Sequence, residues 1–144
     1  MTKEEKQLLL VDLCARLPYG IYVWNAGKGT YELTMGNTYL INLYFGNFEY
    51  IDSPIKPYLR SMSSMTKEEE KELQSILGEM SFDIDCHEKL IIYTASMYDN
   101  DHYFSEFYKI QDWLNEHHFD YRGLILMGLA LVAPEGMYKN KMEN

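Results

Sequence analysis

The alternation of apolar and polar side chains over residues 19–62 places the strongest constraint on what this chain can fold into. Residues 21–24 point alternately to the two faces of an extended chain, and the same period of two returns in residues 31–35, 39–45 and 48–51. Gly36-Asn37 and Gly46-Asn47 separate these runs, and a glycine in the first place of a two-residue loop suits a type II′ hairpin turn. The pattern predicts a continuous antiparallel meander.

A fifth strand completes this meander. Residues 55–62 fit a short helical turn followed by a strand, and Pro57 within it implies an edge or strand-start position. Five short strands with a turn before the last are typical of a small Src-homology-like barrel, but repeated hairpins also fit any curled meander. We therefore expect an α+β fold and leave open whether the meander closes.

Two almost identical capping boxes predict two helix starts. In Thr2-Lys3-Glu4-Glu5 and Thr66-Lys67-Glu68-Glu69, a threonine N-cap is followed by a glutamate at the third helical position. The first helix is expected to run to about Arg16, where Pro18 and Gly20 stop it. Leucines mark its buried face, and a second apolar stripe follows the other box: Leu9, Leu10, Leu13 and Leu17; Leu73, Ile76, Leu77 and Met80.

Residues 82–97 allow two interpretations. Residues 82–85 and 90–97 alternate and could form a second hairpin around residues 86–89, but the later run could equally be helical because short apolar runs are ambiguous. Asp83 and Asp85 share one strand face, which could suit a metal. A single carboxylate pair is more often a solvated face, so we expect no metal there.

A third helix is predicted from residue 101 to about His118. The apolar stripe of Tyr103, Phe107, Ile110, Leu114 and His117 follows helical spacing. Trp113 widens it, so Trp113 and Leu114 are expected in the core. The chain should then turn at Asp120 and Gly123, return into the core over residues 124–132, and lose order after Pro134-Glu135-Gly136.

His117, His118 and Asp120 suggest a metal site or a catalytic base. Adjacent histidines on a helix point about 100° apart, and no HExxH or CxxC pattern accompanies them. A structural role is therefore favoured, with His117 packed and His118 closer to solvent. We expect no catalytic residue, no metal and no cofactor.

Three residues are candidates for binding a partner: Trp24, Tyr121 and Arg122. Exposed sheet aromatics can hold a protein partner, although aromatic residues in sheets more often form cross-strand pairs; Tyr22, Tyr31 and Tyr44 belong to the same group. The simplest role for Arg122 is an ion pair with Asp120 or Asp112.

The segments IKPYLRSMSSMT and DWLNEHHFDYRGLILMGLALVAPEGMY, which are residues 55–66 and 112–138, carry a family resemblance. They resemble a family of small uncharacterised proteins encoded by Bacteroides-like gut bacteria, their phages and mobile elements. The resemblance extends over residues 17–20, 55–69 and 112–138. It implies a genomic setting and no particular chemistry.

Negative charge is concentrated in the second half of the chain. Residues 1–65 hold six Lys/Arg and six Asp/Glu, whereas residues 66–144 hold seven and sixteen, so the whole net charge of −9 belongs to the second half. An acidic surface repels phosphate backbones, so nucleic-acid binding is disfavoured and a basic protein partner is favoured. The simplest interpretation of the charge is solubility.

The chain is expected to be a single domain over residues 1–144, with a helix-plus-meander part (1–65), an acidic mixed part (66–138) and a loose tail (139–144). Cys14 and Cys86 are expected to be buried, reduced thiols. No apolar run reaches membrane-spanning length and the N-terminus is a poor signal peptide, so a cytoplasmic location without membrane contact is expected. The favoured function is a non-enzymatic protein-interaction module, with an acidic nucleic-acid mimic or a metal-dependent enzyme as alternatives.

Overall fold

Capped helices begin the two parts of this α+β protein. The computed structural model describes residues 2–25, 27, 29–37, 55–93 and 100–138, except for the side chains of residues 100–106. Helix α1 spans Lys3–Arg16 and helix α2 spans Lys67–Leu77. In each case the N-cap threonine and the glutamate three residues later exchange hydrogen bonds, as the capping boxes predicted. Helix α3 spans Asn100–Glu116.

The main sheet has four strands among the described residues. They are β1 (Ile21–Asn25), β2 (Gly29–Leu33), β3 (Lys56–Leu59) and β6 (Leu131–Val132), in the order β2-β1-β3-β6. Strand β1 is antiparallel to β2 and β3, whereas β3 and β6 are parallel. The sheet is therefore mixed and, within the described residues, not closed into a barrel, which was the alternative that the sequence left open.

Two local predictions in the meander are wrong. Gly36-Asn37 was predicted to be a hairpin turn but belongs to a 3₁₀ turn, Met35–Asn37, in which the Asn37 side chain accepts a hydrogen bond from the Thr34 amide at 2.7 Å. The turn expected before the last strand instead follows it, at Met62–Ser64. Pro57 is the second residue of β3, which suits a strand start, but β3 is an inner strand. The predicted strands at 39–45 and 48–51 lie outside the described residues.

A second hairpin forms where the sequence was ambiguous. Strands β4 (Ser81–Ile84) and β5 (Leu90–Tyr93) are antiparallel. Asp85 closes the turn, because its Oδ1 accepts hydrogen bonds from the amides of His87 and Lys89 at 2.8 and 2.9 Å. These bonds hold the pKa of the Asp85 carboxyl below its usual value. The role of this side chain is that of a turn former.

The buried apolar side chains form two clusters. The first joins α1 to the main sheet and to residues 124–138, the C-terminal segment, and the second joins α2, α3 and Phe119. Trp113 and Leu114 belong to the second cluster and are 7% and 3% exposed, which confirms their predicted core position. Cys14 and Cys86 are free but exposed, so their predicted burial is wrong.

The C-terminal segment is ordered further than predicted. The chain does not lose its packing at Pro134-Glu135-Gly136, because Tyr138 is buried in the first cluster. The predicted return into the core over residues 124–132 is also only partly correct, since Leu124 is fully buried whereas Leu126 and Val132 are largely exposed. Among the described residues, no helix is long and apolar enough to cross a membrane.

Candidate functional site

Residues 59 and 60 join three distant parts of the chain. The Arg60 amide donates to the His118 carbonyl and the Arg60 carbonyl accepts from the Asp120 amide, both at 2.8 Å. The neighbouring Leu59 carbonyl accepts from the Ala133 amide, also at 2.8 Å. Successive residues of a strand direct their backbone groups to opposite sides. The segment after α3 and the C-terminal segment therefore flank the end of β3 on its two sides.

The Arg60 side chain ties this junction to the start of α2. Its two terminal nitrogens donate to the two carboxylate oxygens of Glu69, each at 2.7 Å, and its guanidinium lies 4.2 Å from the centre of the Phe119 ring. Burial alone would raise the pKa of the Glu69 carboxyl, but hydrogen bonds from Arg60 and the Thr66 amide, with the charge of Arg60, hold it below its usual value. One glutamate thus caps α2 and neutralises Arg60.

Tyr138 fixes the C-terminal segment against the sheet. Its hydroxyl donates to the Tyr58 carbonyl at 2.7 Å and accepts from the Tyr22 amide at 3.1 Å. Its ring stacks on that of His118, with centroids 3.7 Å apart. Burial raises the pKa of Tyr138 well above its usual value, so the hydroxyl remains a neutral donor and acceptor. These contacts hold the backbone of residues 133–138 in one place.

The space between the C-terminal segment and α2 is a groove of about 940 Å³. Its volume lies in the range typical of ligand sites. One wall is the C-terminal segment, and the other is formed by Arg60, the following turn and the first half of α2. The lining residues are Arg60, Ser61, Ser64, Thr66, Glu68, Glu69, Glu72, Val132, Ala133, Pro134, Glu135, Gly136, Met137 and Tyr138.

The groove is negatively charged. Its lining has four carboxylates and one guanidinium, a net charge of −3. Since Arg60 is engaged by Glu69, the uncompensated charges within the lining belong to Glu68, Glu72 and Glu135. Glu68 and Glu72 are one helical turn apart on the same face of α2. The opposite wall includes the apolar side chains of Val132, Pro134 and Met137, and Val132 is 60% exposed.

Trp113 and His117 lie behind the Glu72 side of the groove. The indole Nε1 of Trp113 donates to Glu72 Oε2 at 3.3 Å, and the His117 ring stacks on the indole with centroids 4.1 Å apart. The His117 Nε2 atom is 3.4 Å from the same carboxylate oxygen. Packing of His117 was predicted and is confirmed, since it is 8% exposed.

His118 does not lie where the sequence predicted. It is 1% exposed rather than near solvent, because its φ of 64° ends the helical path and turns its ring onto Tyr138. Because His118 is not in helical conformation, the expected angle of about 100° between the His117 and His118 side chains does not apply. Both carboxylate oxygens of Asp120 accept backbone amides, from Leu124 at 2.8 Å and Ile125 at 3.0 Å. Asp120 is thus the predicted turn former.

The three candidate binding residues lie in different parts of the fold. Trp24 lies in β1, paired with Thr30 and Lys56, whereas Tyr121 and Arg122 follow α3. Arg122 donates to Asp12 at 2.7 Å, so its predicted pairing with Asp120 or Asp112 is wrong. Its guanidinium also lies 4.6 Å from the Tyr121 ring centre. Asp12 was missed because its partner is 110 residues away.

No group of three or more potential metal-ligating side chains was found within the described ranges. Asp83 and Asp85 do not lie in such a group, and Tyr44 lies outside those ranges.

The groove residues were not predicted as a site. Glu68 and Glu69 were recognised as parts of a capping box and of the acidic helix start that motivated the nucleic-acid-mimic alternative, but not as residues of a groove. The C-terminal wall was expected to be the end of the ordered chain. The one sequence signal was the resemblance, whose segments 55–69 and 112–138 contain every groove residue except Glu72.

No family model, curated protein or solved structure matches this chain. The site must therefore be interpreted from its own geometry and charge.

Proposed function

We propose that this chain is a non-enzymatic protein-interaction module that binds a basic segment of a partner protein in the groove between α2 and residues 132–138. The observation that carries this proposal is a groove lined by three carboxylates that have no cation in the lining, together with apolar side chains of residues 132–138. In line with the resemblance of residues 55–69 and 112–138, we place this module in the cytoplasm of a gut bacterium, encoded by a phage or mobile element.

The negative charge of the groove favours a positively charged ligand. Glu68 and Glu72 offer two carboxylates on one helix face, and Glu135 adds a third from the opposite wall. A lysine or arginine head group between them would exchange water for carboxylate oxygens, and arginine could bind in a bidentate way. A phosphate or carboxylate ligand would be repelled by the same lining.

The apolar wall suits the stem of such a side chain. Lysine and arginine pack their methylene groups on apolar surface while the charged end stays among polar groups. Val132, Pro134 and Met137 present that surface. An apolar residue next to the basic one would find the same wall, so the expected motif alternates basic and apolar residues.

The walls are already fixed in the unbound protein. Hydrogen bonds to Tyr138, the Arg60–Glu69 pair and the capping box on Thr66 determine their positions. A preformed site loses little conformational entropy on binding, which raises affinity for a given set of contacts.

The test is binding of an end-capped, fluorescently labelled peptide of alternating arginine and leucine, measured by anisotropy. We expect binding that weakens with salt, and a loss of several-fold in affinity for Glu68→Gln and for Glu135→Gln. Glu4→Gln is the matched control, because Glu4 has the same position in the first capping box and lies outside the groove. Equal losses in all three variants would indicate non-specific attraction to an acidic protein and would refute the proposal.

The acidic-mimic alternative also uses α2, whose Glu68, Glu70 and Glu72 are exposed. Lys67 and Lys71 lie among these glutamates and are exposed too, so the exposed surface of α2 is less negative than a row of phosphates. A mimic would compete with duplex DNA for a basic DNA-binding protein, and Glu70→Gln, outside the groove, would weaken it as much as Glu68→Gln. We expect no such equivalence.

A further inference from the structure

In the neutral form of the His117 imidazole, the contacts of the ring determine which nitrogen carries the hydrogen. Its Nδ1 lies 2.9 Å from the carbonyl oxygen of Trp113. A carbonyl oxygen only accepts, so Nδ1 carries the hydrogen and Nε2 of the neutral ring has a lone pair. That lone pair faces Glu72 Oε2 at 3.4 Å, and an ionised carboxylate also only accepts. A proton on Nε2 would turn this contact between two acceptors into an ion pair.

Charged groups from two elements lie close to His117. From α2, Glu72 faces the ring. From the end of β3, Arg60 donates to the His117 carbonyl at 3.3 Å, but Glu69 binds the same guanidinium. With Arg60 and Glu69 compensating each other, Glu72 contributes one uncompensated negative charge beside the ring.

We propose that proton uptake by His117 weakens the binding of a basic segment in the groove, which makes the site pH-sensitive. This inference rests on the proposed function. The imidazolium pairs with Glu72 and removes one of the three carboxylates that the partner uses. Bound partner and bound proton compete for Glu72, so each weakens the other by the same factor. Among side chains, an ordinary histidine is the one that changes charge between pH 5 and 8.

The direct test is the affinity for the arginine–leucine peptide at pH 8 and pH 5.5. Arginine does not titrate in this range, so the peptide itself contributes no pH dependence. We expect the dissociation constant to rise roughly two- to five-fold at the lower pH, the effect of one partly exposed ion pair. In Glu72→Gln the ratio should be close to one, with the affinity at pH 8 already reduced. This variant keeps an oxygen for the Trp113 indole and changes a largely exposed side chain.

His117→Phe is the second variant, because it keeps a ring stacked on Trp113 and cannot take up a proton. Its affinity should be independent of pH. A pH dependence that persists in His117→Phe would overturn the inference while leaving the proposed function intact, because another group would then be responsible.

The fluorescence of Trp113 tests the switch without any peptide. In a Trp24→Phe background the remaining indole is Trp113, which stacks on the His117 ring. We expect a change in the fluorescence of Trp113 between pH 8 and pH 5 that His117→Phe abolishes. A change that persists in His117→Phe would overturn the inference. Failure of the peptide to bind at any pH would instead refute the proposed function and, with it, the effect of the proton on binding.

Discussion

The buried charge cluster at Asp12 should dominate the response of the fold to mutation. Asp12 and Arg16 are both 0% exposed. The Asp12 carboxylate accepts from Arg16 Nε at 2.9 Å, from Arg16 Nη2 at 3.0 Å and from Arg122 Nη1 at 2.7 Å. Asp12→Ala would leave a fully buried guanidinium whose remaining described hydrogen bond is to the Phe119 carbonyl. Its Nη1 already lacks a partner within the described residues.

Breaking a buried ion pair by removing one member costs about 3–5 kcal/mol, because the other charge stays buried and uncompensated. Small domains have unfolding free energies of about 5–15 kcal/mol, so Asp12→Ala should still fold. With a urea m-value of about 2 kcal/mol per molar, a loss of about 4 kcal/mol lowers the midpoint by about 2 M. The assay is a urea titration followed by circular dichroism.

Two control variants separate the buried pair from other effects. Gln7→Ala on the exposed face of α1 should change stability by less than about 0.5 kcal/mol. Arg122→Ala removes a side chain that is 15% exposed and leaves the Arg16 pair intact, so it should cost about 1 kcal/mol. A loss below about 1 kcal/mol for Asp12→Ala would mean that water replaces the carboxylate, and the argument from burial would be wrong.

Four further outcomes are expected. Leu114→Ala should cost about 2–5 kcal/mol in the same titration, and less than 1 kcal/mol would contradict its core position. His118→Ala should cost about 2 kcal/mol, because it loses a buried stack on Tyr138; a cost below 0.5 kcal/mol would restore the solvent-facing prediction. Random duplex DNA should show no mobility shift at physiological salt with low micromolar protein. Zinc or manganese should not raise the melting temperature, and a rise that disappears in His117→Ala would reveal a metal site.

The local features of the fold could be predicted because their causes are local. A capping box needs only a threonine and a glutamate three residues later, and both boxes form as predicted. The stripe on α3 and the turn at Asp120 likewise depend on neighbours within one or two helical turns. His118 shows where local prediction fails. The helix before it was predicted correctly, but a single positive φ places its ring in the core and not in solvent.

The partners of Arg60, Asp12 and Tyr138 could not be predicted because each depends on chain pairing across a long sequence separation. The parallel pairing of β3 with β6 aligns Tyr58 with Leu131, and two residues of β6 carry too little pattern to be recognised as a strand. That pairing explains why the chain stays packed beyond residue 132, because it places the Ala133 amide beside the Leu59 carbonyl.

The groove follows from the same pairing. A hydrogen bond from Ala133 to Leu59 places the C-terminal segment beside β3, while the Arg60–Glu69 pair holds the start of α2 beside the same strand end. Because Glu69 serves both as a helix cap and as the counter-charge of Arg60, the adjacent Glu68 has no cation in the groove lining. At the first capping box, Glu4 holds the equivalent position outside the groove. The same four-residue pattern thus begins a helix at Thr2 and at Thr66, and at Thr66 the end of β3 also brings the C-terminal segment close enough to form a groove.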